Sequence, residues 1–369
     1  MKVMVIFGTR PEAIKMCPLI LELKKKKEID CKVCLTGQHR EMLAQVMEAF
    51  NIKEDYNLDI MKPKQTLSII TAAILQGLEE ILQKEQPHLI LVHGDTTTSF
   101  VASLAAFYQK IPVGHVEAGL RTNNKYSPYP EEMNRVLTGR IADLHFAPTK
   151  GNQENLFKEN IVQNVYVTGN TVIDAFKTTV KKEYVFEENQ LSSINFEKSK
   201  VVLVTAHRRE NWGKPLEQIC RAIKRIADSC SDVIVVYPVH KNPTVRDTVY
   251  DVLDHHNRIM LIEPLNVFDM HNLIARSYMV MTDSGGLQEE APACGKPVLV
   301  MRTETERPEA VAAGTVNLVG IDEDNIYQEG IRLLTDRNEY DRMAHAVNPY
   351  GDGHASERIV QRILELRDI

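Results

Sequence analysis

The feature that most constrains the fold is a twofold series of short apolar segments, separated mostly by stretches with helical spacing. The first series has strand-like runs at residues 3–7, 89–92, 113–116, 144–147 and 165–168. The second series has such runs at residues 201–205, 233–237, 259–262, 279–281 and 297–301. Nearly continuous valine, isoleucine and leucine are typical of parallel strands that helices cover on both faces. We therefore predict an α/β protein with two doubly wound, Rossmann-like domains.

The domain boundaries follow from the segments that break this pattern. Residues 181–200 are polar and lack clear strand character, so we expect a linker there, with domains at residues 1–180 and 181–353. The length of 369 residues agrees, because a single core stops growing at about 250–300 residues. After a turn-rich stretch, the apolar residues Ile359, Ile363 and Leu366 predict a separate closing helix within residues 354–369.

Composition and charge exclude several classes of protein. Hydrophobic residues make up 43% and charged residues 25%, as in an ordinary globular protein. The net charge of -6 argues against a general nucleic-acid or membrane surface, so an anionic ligand must be held by locally placed cations. Residues 1–7 are too short for a signal peptide and no apolar run approaches about 18 residues, so we expect a cytoplasmic protein.

Neither a metal nor a dinucleotide cofactor is expected. The pair Cys31 and Cys34 lacks the second pair that a zinc site needs. No His or Cys ligand spacing and no Gly-x-Gly-x-x-Gly fingerprint stands out in the chain.

Residues 282–290, Thr-Asp-Ser-Gly-Gly-Leu-Gln-Glu-Glu, end a predicted strand, form a glycine turn and begin a helix. Glycines let a ligand approach the backbone, and the N–H groups at a helix N-terminus attract anions. Ser284, Gly285 and Gly286 are therefore predicted to bind a phosphate or pyrophosphate. Glu290 lies about one turn into the helix, where a carboxylate can accept two ribose hydroxyls. Taken alone, the motif is equally typical of a plain strand-to-helix turn.

A second candidate anion site follows the first strand. Residues 8–15, Gly-Thr-Arg-Pro-Glu-Ala-Ile-Lys, place a glycine turn before a helix start. Arg10 can make a forked contact to phosphate oxygens, and Lys15, about one turn further on, supplies a point charge. A solvated helix lysine is the alternative for Lys15.

Three carboxylates lie where strands end or a helix begins. Asp95 directly follows a buried strand, and capping of the next helix is the alternative role for it. Glu117 follows the next strand, where no helix surface accounts for its charge. Glu131 begins a helix, where an acidic residue also stabilises the helix dipole. Together with a cationic phosphate site, the three predict acid–base chemistry on a phosphorylated ligand.

Two histidines follow strands of the second domain. His207 comes after the first of these strands and His240 after the next, and arginine or lysine neighbours both. We interpret them as phosphate contacts, with satisfied structural histidines as the alternative. Since ligands of doubly wound folds bind at the carboxyl ends of strands, the active-site cleft is predicted between the domains.

These motifs together resemble the non-hydrolysing UDP-N-acetylglucosamine 2-epimerases of bacteria. The matching stretches are residues 8–13, 93–96, 115–121, 205–211, 282–286 and 348–351, so the resemblance runs from end to end. It implies the two-domain glycosyltransferase-B architecture, with UDP held mainly by the second domain and a final helix that packs back on the first. It also implies a homodimer with UDP-N-acetylglucosamine and UDP as its ligands.

The resemblance further implies the reaction and its residues. The family interconverts UDP-N-acetylglucosamine and UDP-N-acetylmannosamine by anti elimination of UDP to 2-acetamidoglucal, followed by syn addition. The implied catalytic residues are Asp95, Glu117, Glu131 and His207. The implied substrate and UDP contacts are Arg10, Lys15, Met270, Ser284, Gly285, Gly286, Glu290 and Arg307. At Met270 some relatives carry an aromatic side chain, which leaves its contact to the uracil side open.

Some bacterial relatives bind a second, activating UDP-N-acetylglucosamine beside the first. By resemblance that allosteric site comprises Gln38, Glu41, Lys64, Arg208 and His240. This chain departs from the pattern at two of these positions, because Glu41 and Lys64 stand where such relatives have glutamine and arginine.

Three other functions remain open from the sequence. A hydrolysing epimerase would release free N-acetylmannosamine and UDP. A retaining glycosyltransferase of the same fold would transfer the sugar only to a supplied acceptor. A catalytically silent sensor would bind UDP-sugar and leave it unchanged.

Overall fold

The computed structural model describes residues 1–37, 40–62, 65–305 and 307–365, without the side chains of residues 40–42. The chain divides into two compact units. Unit 1 comprises residues 1–178 and 350–369, and unit 2 comprises residues 179–349. Within the described ranges, no helix combines the length and the apolar character that crossing a bilayer requires.

Unit 1 contains a seven-stranded parallel sheet within the described residues. Its strands are β1 (Lys2–Phe7), β2 (Asp30–Leu35), β3 (Tyr56–Asn57), β4 (Leu89–His93), β5 (Val113–Val116), β6 (Leu144–Ala147) and β7 (Val165–Val167). Its helices are α1 (Arg10–Lys24), α2 (Arg40–Ala49), α3 (Leu67–Glu85), α4 (Thr97–Tyr108), α5 (Glu131–Ile141), α6 (Lys150–Lys158), α7 (Thr171–Thr179) and α15 (Ala355–Glu365). The strand order is β3-β2-β1-β4-β5-β6-β7.

Unit 2 contains a six-stranded parallel sheet in the part that the structure describes. Its strands are β8 (Lys200–Thr205), β9 (Val233–Pro238), β10 (Ile259–Ile262), β11 (Met279–Thr282), β12 (Val298–Val300) and β13 (Val316–Leu318). Its helices are α8 (Lys214–Ser229), α9 (Pro243–Leu253), α10 (Val267–Arg276), α11 (Gly285–Ala293), α12 (Pro308–Ala313), α13 (Glu323–Thr335) and α14 (Arg337–Ala344), with short 3-10 turns at Asn189–Ser193 and Arg209–Asn211. The strand order is β10-β9-β8-β11-β12-β13.

The two sheets confirm the predicted α/β class, and both are buried by helices. In unit 1, Met4 and Ile6 of β1 pack with Leu78 of α3 and other side chains of β4 and α4. In unit 2, Val204 of β8 and Met281 of β11 pack with side chains of α8, α9 and α13. The apolar runs were therefore a correct signal for central strands.

Each sheet has a point at which the strand order reverses. In unit 1 this point lies between β1 and β4, and in unit 2 it lies between β8 and β11. Connections on the two sides of such a point leave in opposite directions and open a crevice at the carboxyl ends of the strands. The loops after β1, β4, β8 and β11, which carry most of the unusual residues, lie at these crevices.

The segment at residues 181–200, for which the sequence predicted a linker, packs on α10 of unit 2. Asp269 of α10, buried to about 1% exposure, accepts hydrogen bonds from the Tyr184 hydroxyl at 2.8 Å and from the Glu187 and Glu188 N–H groups at 3.0 and 2.9 Å. The Arg276 guanidinium also lies over the Tyr184 ring, 5.8 Å from its centroid. The packing could not be predicted from the polar composition of this segment, because two of the three hydrogen bonds to Asp269 come from backbone N–H groups.

The closing helix α15 belongs to unit 1. Its apolar residues Ile359, Val360 and Ile363 are buried, and the helix contacts α1. The Asp174 carboxylate of α7 accepts the N–H groups of Ala355 and Ser356 at 3.2 and 2.8 Å and so caps the start of α15. Leu366, predicted to extend the apolar face, lies outside the described residues.

Candidate active site

Glu117 is the centre of a buried polar cluster in unit 1. It follows β5 with a φ of +62°, a left-handed backbone conformation that residues other than glycine seldom adopt. Its Oε2 atom accepts hydrogen bonds from Lys15 Nζ and, at 2.9 Å, from Asn170 Nδ2. His93 Nε2 lies 3.6 Å from the same oxygen. One carboxylate oxygen therefore faces three groups from three different elements.

These neighbours keep Glu117 ionised. Burial by itself raises the pKa of a carboxyl, but the Lys15 ammonium and His93 outweigh burial and hold the pKa of Glu117 well below its usual value. The Lys15 side chain is only 18% exposed, so the alternative of a solvated helix lysine is wrong. Lys15 and Glu117 form an ion pair at the carboxyl end of the sheet.

Asp95 and Glu131 are brought together by α5. Arg135 Nη2 of α5 donates to Asp95 Oδ2, and Asn134 Nδ2 donates to the Asp95 carbonyl at 3.0 Å. Glu131 lies on the same face of α5, three and four residues earlier. The residue is half-buried, and its carboxylate has no hydrogen-bond or ion-pair partner among the described residues.

Capping is not the role of Asp95. Thr96 is the N-cap of α4, and its hydroxyl accepts the Ser99 N–H at 3.1 Å. The Asp95 carboxylate is thus left for Arg135. The loop after β4, which carries Asp95, also lies close to Glu117. A Cβ atom placed on Gly94 would lie 3.6 Å from Glu117 Oε1. Asp95, Glu117 and Glu131 therefore share the same end of the unit 1 sheet.

Two further carboxylates in unit 1 have structural partners. Glu12 forms a capping box with Thr9 at the start of α1. Glu132 Oε1 accepts the N–H groups of Thr122 and Asn123, both at 2.9 Å, and its other oxygen accepts from Arg135 Nη1 at 3.2 Å. Glu132 thereby links the loop after β5 to the arginine that holds Asp95.

Two residues of the motif at 115–121 point into the protein. Arg121 makes a bidentate pair with Glu159 of α6, at 2.6 and 3.0 Å. His115 Nε2 lies 2.7 Å from the Gly94 carbonyl, and burial lowers the pKa of His115 to about 3. Both residues stabilise the loop that presents Glu117.

In unit 2, the buried Asp283 organises the loop after β8. Its Oδ2 atom accepts the N–H groups of His207 and Arg208, both at 2.8 Å, and the Asn211 amide at 3.1 Å. The imidazole Nδ1 of His207 lies 3.7 Å from the other carboxylate oxygen. Asp283 was predicted only as the end of a strand, yet it fixes two of the predicted site residues.

The N-terminus of α11 has the character of an anion site. Ser284 is its N-cap, and no side chain of the described residues caps it. Two guanidinium groups lie above the turn at Gly285. A Cβ atom placed on Gly285 would lie 3.6 Å from Arg208 Nη2 and 3.7 Å from Arg307 Nη2. Arg307 is held by the buried carboxylate of Glu289. Two arginines and unpaired helix N–H groups therefore converge on one turn.

Glu290 folds back toward the same turn. A Cβ on Gly286 would lie 3.2 Å from Glu290 Oε1. His271 of α10, which sequence analysis did not identify, has its Nε2 atom 3.8 Å from Glu290 Oε2 and its Nδ1 atom 2.7 Å from the Thr179 hydroxyl. Met270 is half-buried and precedes His271 on α10. The carboxylate predicted to bind ribose thus has a buried histidine beside it.

His207 and His240 are neighbours in unit 2. Their rings stack with centroids 5.3 Å apart and an interplanar angle of 11°. Burial lowers the pKa of His207, against the opposing effect of Asp283, and His240 lowers it further. His207 is therefore mainly neutral at pH 7 and able to accept a hydrogen bond.

The remaining predicted residues have simpler outcomes. Arg10 is the first residue of α1 and is half-buried. Gln38 and Lys64 lie outside the described residues, and Glu41 lies in α2 with a side chain that the structure does not describe. Over the described ranges, no three His, Cys, Asp or Glu side chains come together as a metal site would require.

Comparison with known proteins shows the family of the chain. Residues 21–364 match the model of the UDP-N-acetylglucosamine 2-epimerase family. The chain is 57% identical to the UDP-N-acetylglucosamine 2-epimerase of Bacillus subtilis over 365 residues, which cover 99% of this chain and 95% of the relative.

Solved structures show the same similarity. The crystal structure of UDP-GlcNAc 2-epimerase from Neisseria meningitidis bound to UDP-GlcNAc is 51% identical, with a TM-score of 0.88 over 99% of this chain and 100% of that one. The enzyme from Methanocaldococcus jannaschii, in complex with UDP-GlcNAc and UDP, is 34% identical, with a TM-score of 0.79 and the same coverage. The chain therefore belongs to the UDP-N-acetylglucosamine 2-epimerase family of isomerases.

Proposed function

We propose that this chain interconverts UDP-N-acetylglucosamine and UDP-N-acetylmannosamine by elimination and re-addition of UDP, without hydrolysing the sugar. The observation that carries the proposal is the gathering of Asp95, Glu117 and Glu131 at one end of the unit 1 sheet in a member of this family. UDP-N-acetylglucosamine and UDP are the proposed ligands.

The chemistry explains why several carboxylates are needed. The C2 proton of the sugar is not adjacent to a carbonyl, so it becomes removable only as the C1–O bond breaks. In the elimination, a carboxylate takes the C2 proton, the C–H electron pair forms the C1=C2 double bond, and the C1–O pair leaves with UDP. In the re-addition, a carboxylic acid returns a proton to the opposite face of C2 and UDP oxygen bonds to C1. Opposite faces favour two different proton carriers.

We assign Glu117 to charge stabilisation rather than to proton transfer. Its pKa lies well below the usual value and one of its oxygens already accepts two hydrogen bonds, so it is a poor base. A carboxylate that stays ionised stabilises the positive charge that develops on the sugar ring as C1–O breaks. Asp95 and Glu131 are then the two proton carriers, one for each face of C2.

Unit 2 supports the proposal through its anion site. Arg208, Arg307 and the start of α11 offer positive charge to a pyrophosphate, which gains charge as it departs. His207 lies on the loop that Asp283 ties to the same region and contributes a hydrogen-bonding imidazole. Glu290 accepts the ribose hydroxyls.

Incubation of the protein with UDP-N-acetylglucosamine in deuterated water tests the reaction. We expect the manno epimer to form, with deuterium at C2 of both UDP-sugars and no free N-acetylmannosamine. Free sugar as the main product would establish a hydrolysing epimerase instead. Transfer that depends on an added acceptor, with no deuterium at C2, would establish a glycosyltransferase.

A second nucleotide-sugar site is a separate proposal. In unit 2, Arg208 lies near the turn at the start of α11, and the ring of His240 stacks on that of His207. The complex of the Methanocaldococcus jannaschii relative holds both UDP-GlcNAc and UDP. We expect UDP-N-acetylglucosamine to activate the reverse reaction, measured as a sigmoidal rate curve with UDP-N-acetylmannosamine alone that becomes hyperbolic when a trace of the gluco epimer is added.

A homodimer is also proposed, and apolar surface on unit 1 supports it. Phe107 and Tyr108 at the end of α4 are 61% and 62% exposed, and Met133 and Leu137 lie one turn apart on the neighbouring α5 with 37% exposure each. Exposed apolar groups of this size are typical of protein interfaces. Light scattering gives the mass, and Leu137→Glu is expected to shift a dimer toward the monomer.

A further inference from the structure

Asn170 is a buried amide in contact with Glu117, and neither sequence reasoning nor the family resemblance assigned it a role. It follows β7 and is 3% exposed. Its Nδ2 atom donates to Glu117 Oε2 at 2.9 Å, and its Oδ1 atom accepts the Val172 N–H at 3.0 Å. Because both ends of the amide are hydrogen-bonded, its orientation is fixed, with the NH₂ group toward the carboxylate.

The backbone of Asn170 is held by the segment that returns from unit 2. The Asn170 N–H donates to the Tyr350 carbonyl at 2.7 Å. Gly351, with a φ of +124°, packs directly against Gly169, because a Cβ on either glycine would lie 3.3 Å from the Cα of the other. Such close backbone contact requires glycine at both positions.

Glu117 depends on its partners for its orientation. Its own backbone has the left-handed conformation described above, which does not by itself select one direction for the carboxylate. Lys15 reaches it from α1 through a flexible side chain, whereas Asn170 reaches it through a short side chain that is fixed at both ends. Asn170 is therefore the more rigid of the two donors.

We propose that Asn170 is a positioning residue that aims the Glu117 carboxylate, and that Tyr350 and Gly351 hold Asn170 in place. The proposal rests on the proposed function, in which Glu117 stabilises the charge that develops on the sugar. It adds a relay from the return segment at residues 350–351 through Asn170 to the catalytic carboxylate.

The relay predicts a change in pH dependence when it is broken. The titratable groups that face Glu117 are Lys15 of α1 and His93 at the end of β4. Loss of the Asn170 donor leaves both of them in place but removes a hydrogen bond to the ionised form. The pKa of Glu117 then rises toward its usual value, a shift that is measured on the carboxyl itself.

The matched pair Asn170→Ala and Gln153→Ala tests the first step. Gln153 of α6 is also a half-buried amide of unit 1, and its Nε2 atom donates to the Val165 carbonyl at 3.1 Å, away from Glu117 and its loop. For Asn170→Ala we expect kcat to fall about 10- to 100-fold, the effect of a misplaced charged group, while the Kd for UDP changes less than about twofold. We also expect the pKa of Glu117 to rise toward its usual value. Gln153→Ala should leave all three quantities close to wild type.

The pair Gly351→Ala and Gly353→Ala tests the second step. An alanine at 351 meets the backbone of Gly169, whereas an alanine at 353 meets the end of the flexible Lys177 side chain at 3.0 Å. Both glycines have positive φ, +124° at Gly351 and +81° at Gly353, so both substitutions strain the backbone, and only the one at 351 also meets the backbone of Gly169. We expect Gly351→Ala to reproduce the kcat loss and the Glu117 pKa rise of Asn170→Ala in smaller degree, and Gly353→Ala to show neither.

Titration of Glu117 by carbon-13 NMR, compared between wild type and Asn170→Ala, makes the outcome independent of turnover. A raised carboxyl pKa in the variant supports the relay. An unchanged pKa together with an unchanged kcat overturns it. If the wild type forms no epimer, the proposed function fails, and this titration still decides whether Asn170 controls Glu117.

Discussion

The loop after the first strand is stabilised by a buried carboxylate in both units, but the carboxylate comes from different places. In unit 1, Glu12 of the following helix accepts the N–H groups of Gly8 and Thr9 at 3.1 and 2.8 Å. In unit 2, Asp283 at the end of β11 accepts those of His207 and Arg208, across 76 and 75 residues of sequence. The same topological position is organised locally in one unit and by a distant strand in the other.

This difference separates two kinds of site. Glu12 Oε2 fixes the loop before α1, and Glu12 Oε1 accepts the hydroxyls of Thr96 and Ser99 at the start of α4, at 2.7 and 3.1 Å. The carboxylates of the proposed mechanism are held by other partners. Asp283 instead ties the His207 loop to the strand that leads into α11, so both parts of the anion site depend on one side chain. We therefore expect a substitution in unit 1 to affect kcat only through the carboxylate that it alters. In unit 2, we expect loss of Asp283 to weaken UDP binding at both parts of the anion site.

The largest effect is expected for Glu117→Gln in unit 1. The amide cannot carry the negative charge that the proposed mechanism requires, so kcat should fall by about 10² to 10⁴. UDP affinity, measured by calorimetry, should remain close to that of the wild type. Glu154→Gln, on the exposed side of α6, is the control and should change neither value. A loss of UDP affinity as large as the loss of kcat would contradict the division of tasks between the units.

Asp283→Ala should have the next largest effect. It leaves the His207 and Arg208 N–H groups and the Asn211 amide without their acceptor, which lowers the free energy of unfolding by about 3 kcal/mol or more. UDP binding should weaken strongly as well.

The matched variant in unit 1 is Glu12→Ala. It leaves the Gly8 and Thr9 N–H groups and the Thr96 and Ser99 hydroxyls without this acceptor, so it should lower the free energy of unfolding by a similar amount, about 3 kcal/mol or more, and leave the Kd for UDP unchanged. Denaturant titration and UDP calorimetry on both variants provide the comparison. Equal losses of UDP affinity would show that the two buried carboxylates have the same role.

Arg307→Ala should weaken UDP binding by about 10- to 100-fold, the effect of one charge-assisted contact to phosphate. The reason is the position of its guanidinium above Gly285 at the start of α11. Arg225→Ala removes another arginine of unit 2, on the exposed face of α8, and should leave binding unchanged. A fall in kcat with unaltered Kd would assign Arg307 to the chemical step instead.

The smallest effect concerns acid sensitivity. Burial lowers the pKa of His115 to about 3 and that of His145 to about 4, and both lie in unit 1. Since the unfolded chain binds these protons near pH 6.5, unit 1 should lose about 1.4 kcal/mol of stability per histidine for each pH unit below that value. The loss continues until the folded pKa is reached.

Denaturant titrations at pH 7.0 and 5.5 separate the units. Trp212, the single tryptophan, lies in unit 2, so its fluorescence follows that unit, while circular dichroism follows both. We expect acid to shift the dichroism transition more than the fluorescence transition, and His115→Asn to reduce the difference. Equal shifts would mean that the two units unfold together or are equally acid-sensitive.

The sequence predicted the two parallel sheets and their central strands well. Central strands such as β5 and β6 were located at their observed bounds because burial on both faces demands continuous apolar residues. The short edge strands β3 and β13 went unpredicted, since two or three residues leave little pattern. The packing of residues 181–200 on α10 was missed because it rests on backbone groups and one buried aspartate.

The candidate site was predicted less completely. Carboxylates after strands could be recognised from their position alone, as with Asp95 and Glu117. Their partners could not, because Arg135 and Asn170 lie 40 and 53 residues further along the chain. His271 beside Glu290 likewise has no local signature. Even the capping box of Thr9 and Glu12, whose members are only three residues apart, was not among the predictions.

The packing of α15 on α1 has a consequence for biosynthesis. A ribosome makes the first 178 residues of unit 1 early, then all of unit 2, and only afterwards the helix that covers α1 and the residues that contact Asn170. Until those last residues emerge, the apolar surface of α1 that α15 covers stays open to solvent or to chaperones. The nascent chain should thus be able to complete unit 2 first and complete unit 1 only at the end of translation.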